Sequence, residues 1–365
     1  MSWSPDKKEL SVWLPVCSLS FAAFVFVTSE LMPIGLLPGM ARDLARPEWF
    51  IGWVVTIYAW GVALLSLPLT VLTEKVDRRR LLLILLGIFI VGNLLTAVTQ
   101  SFWMLLFSRV CIACAHAVFW SITTPLAARL APQRRQTRAL TIVITGASLA
   151  TVLGVPAGTM VGVYTNWRIA FALTSLVAAV VFIILLRMLP PLPSVNTSNL
   201  KTLPTLFRKK LLLKLYVVTL LLISGNFVAF TYLTPFLKDV VGIDLKVVPY
   251  ILLTLGVSGI FGSMIASRYS DRQPYRVMLP GVLMVGVCLL LLRYLTFSHV
   301  AEVMLCIIWG ASLSAAILVL QSQVLRVAGN SGDAAISMYS GIFNIGIGLG
   351  AFVGGKCRCF SPCMR

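Results

Sequence analysis

Eleven long apolar runs leave this chain few ways to fold. The hydrocarbon core of a bilayer is about 30 Å thick, and about 20 helical residues at 1.5 Å each cross it. Runs of that order occur near residues 13 to 38, 50 to 72, 81 to 99, 102 to 130, 139 to 163, 168 to 189, 212 to 237, 247 to 267, 277 to 295, 301 to 325 and 334 to 355. In lipid every backbone N–H and C=O must find a partner inside the protein, which runs this long achieve as helices. With 59% hydrophobic residues, 12% charged and a mean hydropathy of +0.94, a water-soluble globule is excluded. The sequence therefore predicts an all-α polytopic membrane protein.

The runs fall into two groups, six before and five after the polar stretch "PPLPSVNTSNLKTLPTLFRKK". This predicts an N-terminal six-helix bundle over 1–190, a cytoplasmic linker over 191–211, a C-terminal bundle of five helices over 212–355 and an aberrant tail over 356–365. Lysine and arginine in loops tend to stay on the cytoplasmic side. Placing the N-terminus there puts twenty of the thirty cationic residues in cytoplasmic segments, including Lys75, Arg78, Arg79 and Arg80, and leaves Arg109 inside a span. The net charge of +18 is thus a topology signal rather than a nucleic-acid-binding one. The first run lacks a small-residue cleavage pattern and is expected to be retained as a helix. Five of the eight cysteines (Cys17, Cys111, Cys114, Cys288 and Cys306) fall in spans as small apolar residues, so no disulfide framework is expected.

A weak repeat supports the division. "LPLTVLTEKVDRR" and "FGSMIASRYSDRQ" align at one offset, pairing Thr73 with Ser267, Asp77 with Asp271 and Arg78 with Arg272. A carboxylate or hydroxyl at one helix end and a cationic run opening the next can pin neighbouring spans as a latch, or serve topology alone. Two repeats of six spans form a transporter plan, with two bundles around a midplane site. Here the second group is one span short, and the ending "KCRCFSPCMR" reads as a truncated or frame-shifted C-terminus rather than a metal site, since its C-x-C-x3-C has no fourth ligand nearby. No metal and no cofactor are expected.

Glu30 is read as the single carboxylate deep in the membrane, roughly 12 Å from the outer end of its helix, with Arg109 roughly 10 Å down the fourth helix. Opposite charges at one depth can pair directly or through water, so Glu30 is a proton-coupling candidate and Arg109 its modulator. The alternative is a permanent ion pair that fixes packing. His116 follows two turns after Arg109 and can relay protons or merely donate to a neighbouring helix. In the fifth run, Gly154, Gly158 and Gly162 recur every fourth residue, with Gly146 before them and Pro156 between. That spacing gives one smooth face for a closely packed helix, and Pro156 permits a bend. Asn93, Asn226, Gln321, Gln323 and Asn344 are candidates for an aqueous cavity, or bridges between helices.

On these motifs, "LTEKVDRRR", "SRVCIACAHA", "GASLATVLGVPAGTMVG" and "NWRIAF", the chain resembles the major facilitator superfamily in its branch of proton-driven drug and sugar exporters. "TSELMPIGLLPGMARDL", "AHAVFWSITTPLAARLAP", "NFVAFTYLTPFLKDV" and "YSGIFNIGIGLGAFVGG" are most similar to bacterial inner-membrane sugar efflux transporters of the arabinose and thiogalactoside exporting kind. The resemblance implies a twelve-helix fold, proton antiport, Arg109 in coupling and Gly154, Pro156 and Gly158 at the contact between the two halves. The family's loop has an aspartate and a glycine where this chain has Thr73 and Val76, and its twelfth helix has no counterpart here. The expectation is a non-enzymatic, monomeric, multi-pass protein of the bacterial inner membrane, N-terminus cytoplasmic, exporting sugar-like solutes against protons. A multidrug or nucleoside exporter of the same mechanism, and a non-transporting sensor or scaffold, are the alternatives.

Overall fold

The computed structural model describes residues 7–73, 75–130, 135–189, 192, 208–270, 273–329 and 332–360. Among them, eleven helices are long and apolar enough to cross a membrane: Trp13–Asp43, Glu48–Ser66, Arg78–Val98, Phe102–Thr123, Arg138–Tyr164, Trp167–Met188, Lys210–Asp239, Val248–Tyr269, Pro274–Leu291, His299–Ala328 and Ala335–Cys357. They are numbered here as spans 1 to 11. The membrane face on which span 1 begins is called the near side and the other the far side. The last helix continues through Lys356 and Cys357 to Phe360, so the tail expected from 356 starts as helix.

Within the first six spans, 2 packs on 4, 3 on 4 and 6, and 1 on 5 and 6; within the last five, 7 packs on 11, and 8 and 9 on 10. Local chemistry sets the helix ends. Asp77 stands before span 3 and accepts from the Arg80 N–H, an N-cap that satisfies one of the first orphan donors. Its other oxygen accepts from Leu192 N, and Arg79 donates to the Leu186 carbonyl. The loop expected as a latch between spans 2 and 3 thus fastens span 3 to the end of span 6. Thr73 bonds back to the Leu69 carbonyl of its own helix, while Asp271 and Arg272 lie outside the described residues.

"NWRIAF" explains itself at the far side. Asn166 caps span 6 by accepting from Arg168 N, Trp167 Nε1 and Arg168 Nη1 both donate to Asp43 at the end of span 1, and Arg168 also donates to the Thr99 carbonyl after span 3. Three helix ends are tied by one short motif.

Without a hydrophobic drive between helices in lipid, close packing holds the spans together, and small residues set how close they come. A Cβ at Gly146 would meet the Ser20 carbonyl, at Gly154 the Thr28 hydroxyl, at Gly158 the Met32 sulfur and at Gly162 Leu36. Each pair is 126 residues apart, so spans 1 and 5 run parallel in one register. The glycines themselves thus face span 1 within the same bundle, while the segment that carries them, Ala150–Tyr164, also lies against span 8 of the other group, where the resemblance places it. The contact of span 5 with the last five spans lies on another face, where Gly256 of span 8 comes against Thr151 and Val152. There the helix widens into a π turn over Ala150–Gly154, just before Pro156, which lacks the N–H that a regular helix would use.

The two groups of spans meet toward the far side. Ile34, Val55 and Ala59 pack with Ile223, Phe227, Ile347 and Ala351 in one buried cluster. Phe352 of span 11 lies edge-on to Trp53 of span 2, with ring centroids 5.1 Å apart. Tyr232, at a break within span 7, donates to the Ala351 carbonyl, and its hydroxyl occupies the space a side chain at Gly52 or Gly355 would need.

Candidate functional site: Glu30, Arg109 and His116

Span 1 carries Glu30 one turn before Ile34, on the face that meets the last five spans, and Leu31 packs there too. The Glu30 side chain is 12% exposed, against 1% for His116. Arg109, fully buried for so large a side chain, reaches from span 4 to span 1. Its guanidinium donates to Ser29 Oγ at 3.2 Å, to the Ser29 carbonyl at 2.8 Å and to the Glu30 carbonyl at 3.5 Å. It also lies over the Tyr58 ring, 4.5 Å from the centroid, a cation–π geometry that partly replaces lost hydration.

The matched depths expected of Glu30 and Arg109 are realised, but their direct pairing is not. Arg109 grips the backbone around Glu30, and the carboxylate turns to His116 instead, with Oε2 3.9 Å from Nδ1. That separation is an electrostatic contact, too long for a hydrogen bond. Both imidazole nitrogens have closer partners: Nδ1 is 2.6 Å from the Tyr58 hydroxyl, and Nε2 accepts from Trp120 Nε1 at 2.6 Å. Phe26 and Phe119 pack alongside.

Of the expected cavity residues, Asn93 is fully buried and accepts from Ser29 Oγ, so it supports the Arg109 contact rather than lining water. Asn226 accepts from Trp309 Nε1 and bridges spans 7 and 10. Gln323 lines a groove of about 710 Å³ on the near side with Gln273, Tyr275, Arg276 and Arg326, all in the last five spans or the loop between spans 8 and 9. Gln321, two residues earlier, is half-buried. Asn344 donates to the Ser340 carbonyl and keeps a buried Oδ1 without a partner.

Sequence reasoning missed three members of the cluster. Tyr58 and Ser29 sit in apolar runs with no charge to mark them, whereas Trp120 could have been found from its i, i+4 spacing to His116. Glu302 lies at a span edge, in the first turn of span 10, as counting along the sequence places it; the structure adds that it is fully buried with neither carboxyl oxygen hydrogen-bonded.

The sequence profile of the Major Facilitator Superfamily matches residues 19–355. Among solved structures, the fold is similar to a bacterial homologue of the human lysosomal transporter Spinster in its inward-facing, occupied conformation, with TM-score 0.79 and 17% identity over 97% of this chain and 82% of that one. The inward-facing, unoccupied conformation gives TM-score 0.76 and 14% identity over 94% and 82%. A variant of the nucleoside transporter NupG gives 0.72 and 15% over 94% and 90%. At these identities the likeness is one of fold.

Proposed function

The chain belongs to the Major Facilitator Superfamily, and from that premise we propose that it exports sugars or related small solutes across the bacterial inner membrane in exchange for protons. The observation that carries this reading is Glu30: a carboxylate at the seam between two groups of spans, slightly exposed, held at its backbone by a buried guanidinium and left without an ion pair to that guanidinium. An ionisable side chain at membrane depth is expensive and belongs by default to an ion or solute pathway.

In this reading 1–190 and 212–355 are the two bundles that rock about the seam, and the N-terminus is cytoplasmic. In it the far-side packing described above is the closed outer mouth, and Glu30 exchanges its proton with the cytoplasm in this state. Glu30 binds a proton when the seam opens outward and releases it inward as solute enters. Arg109 makes release favourable without neutralising the carboxylate permanently, because its Nη1 and Nη2 groups donate to Ser29 and to the Glu30 carbonyl rather than to the carboxylate. No covalent step is required: different proton affinities in the two states couple the gradients. Asn344, with an unpartnered oxygen, and Gln321 are the proposed solute contacts; Gln323 is an entry-side one.

The test is flux. Vesicles bearing the protein would be loaded with a panel of labelled sugars, nucleosides and amphiphilic drugs, with and without a proton uncoupler. Uphill movement of a sugar that the uncoupler abolishes supports the reading; uphill movement of only a nucleoside or a drug replaces the solute, and no gradient-driven movement of any of them rejects it.

A further inference from the structure

An imidazole beside a carboxylate invites the reading that it, too, takes up a proton. The geometry around His116 points elsewhere. An indole N–H is a donor only, so the 2.6 Å contact from Trp120 Nε1 requires a lone pair on His116 Nε2. A neutral imidazole has one N–H, which must then sit on Nδ1, facing Tyr58 Oη at 2.6 Å and Glu30 Oε2 at 3.9 Å. Adding a second proton would set two N–H groups against each other at Nε2. The indole cannot accept, and at 1% exposure the imidazole has no water to turn to.

We propose that Trp120 is a positioning residue that holds His116 as a neutral, Nδ1-protonated hydrogen-bond donor aimed at Tyr58 and Glu30, leaving Glu30 as the one proton-accepting group of the cluster. The groups facing the ring are Glu30 from span 1, Tyr58 from span 2, and Trp120 and Arg109 from span 4 itself. Arg109 leans over the Tyr58 ring, and its positive charge on that side also opposes an imidazolium. The consequence for coupling, one proton-binding side chain in this cluster rather than two, rests on the proposed antiport. The tautomer does not.

The chain has two histidines, which makes the state of His116 directly readable. The full-length protein in lipid nanodiscs, carrying His299→Gln and nitrogen-labelled histidine, would be followed by NMR from about pH 8 down to about pH 5, where a free imidazole titrates. The expected spectrum has Nδ1 protonated and Nε2 bare throughout. Trp120→Phe keeps an aromatic ring and removes the donor; it should release the tautomer and let the ring take a second proton in that range. In gradient-driven flux, the pH profile of Trp120→Phe should then gain a second titration that the parent lacks. A parental ring protonated on Nε2 at neutral pH, or a tautomer unchanged in Trp120→Phe, would overturn the proposal. If Trp120→Phe does not fold, the parental spectrum decides alone. A fixed tautomer together with full uphill flux by Glu30→Gln would remove the antiport reading and leave the assignment of His116 standing.

Discussion

Arg109 donates to the carbonyl of Ser29 at 2.8 Å, so a guanidinium on span 4 holds the span 1 backbone one residue before Glu30. The charge is close to the carboxylate without bonding it. A lysine could supply the charge but not the planar set of donors that meets Ser29 Oγ, the Ser29 carbonyl and the Glu30 carbonyl together.

Arg109→Lys should therefore lose at least about tenfold in gradient-driven flux, since each hydrogen bond to a charged group is worth about 1.5–3 kcal/mol and at least one would go unmade. Flux assays over a range of pH check this. Parental rates at every pH would mean that a point charge suffices.

The parallel register of spans 1 and 5 makes a graded prediction about stability. Gly146→Ala puts a methyl against the Ser20 carbonyl, which belongs to backbone and cannot easily yield, whereas at Gly158 the obstacle is the end of the flexible Met32 side chain. Gly146→Ala should cost about 1–3 kcal/mol and Gly158→Ala clearly less. Gly87→Ala, with nothing within 4 Å, should be neutral or stabilising. Thermal unfolding in one detergent ranks the three, and equal midpoints would contradict the register.

The far-side closure can be wedged. A Cβ at Gly348 of span 11 would run into the Trp60 ring of span 2, so Gly348→Leu should part the two groups of spans there. Labelling by an impermeant thiol reagent of a cysteine substituted for Ile34 should rise several-fold in that variant, and unchanged labelling would show that the seam opens elsewhere.

Glu302→Gln keeps the shape of a buried side chain whose two oxygens lack donors, while removing a charge that nothing there would balance. The unfolding midpoint should stay level or rise, with flux retained. A lower midpoint would reveal a partner for the carboxylate.

The spans were legible in the sequence because hydrocarbon thickness fixes their length, and the eleven apolar helices appear where the apolar runs place them. Arg109 and Glu30 were legible as charges in apolar runs, and counting 1.5 Å per residue brought them to one depth. Counting gives depth but not azimuth. It could not say that Arg109 would spend its donors on Ser29, that Asn93 would face Ser29 rather than water, or that the glycines of span 5 would face span 1. The burial of Glu302 was hidden for the same reason: its depth at the span edge could be counted, but not that neighbouring helices cover it.

The central claim is that Glu30 carries the coupling proton. It is tested most directly by adding the transported solute to purified protein in weakly buffered detergent and recording proton release. Coupling is reciprocal, so solute binding that favours the deprotonated state should release about one proton per solute bound. The parent should show this release, and Glu30→Gln should bind solute and release none. Equal proton release from Glu30→Gln would contradict the account.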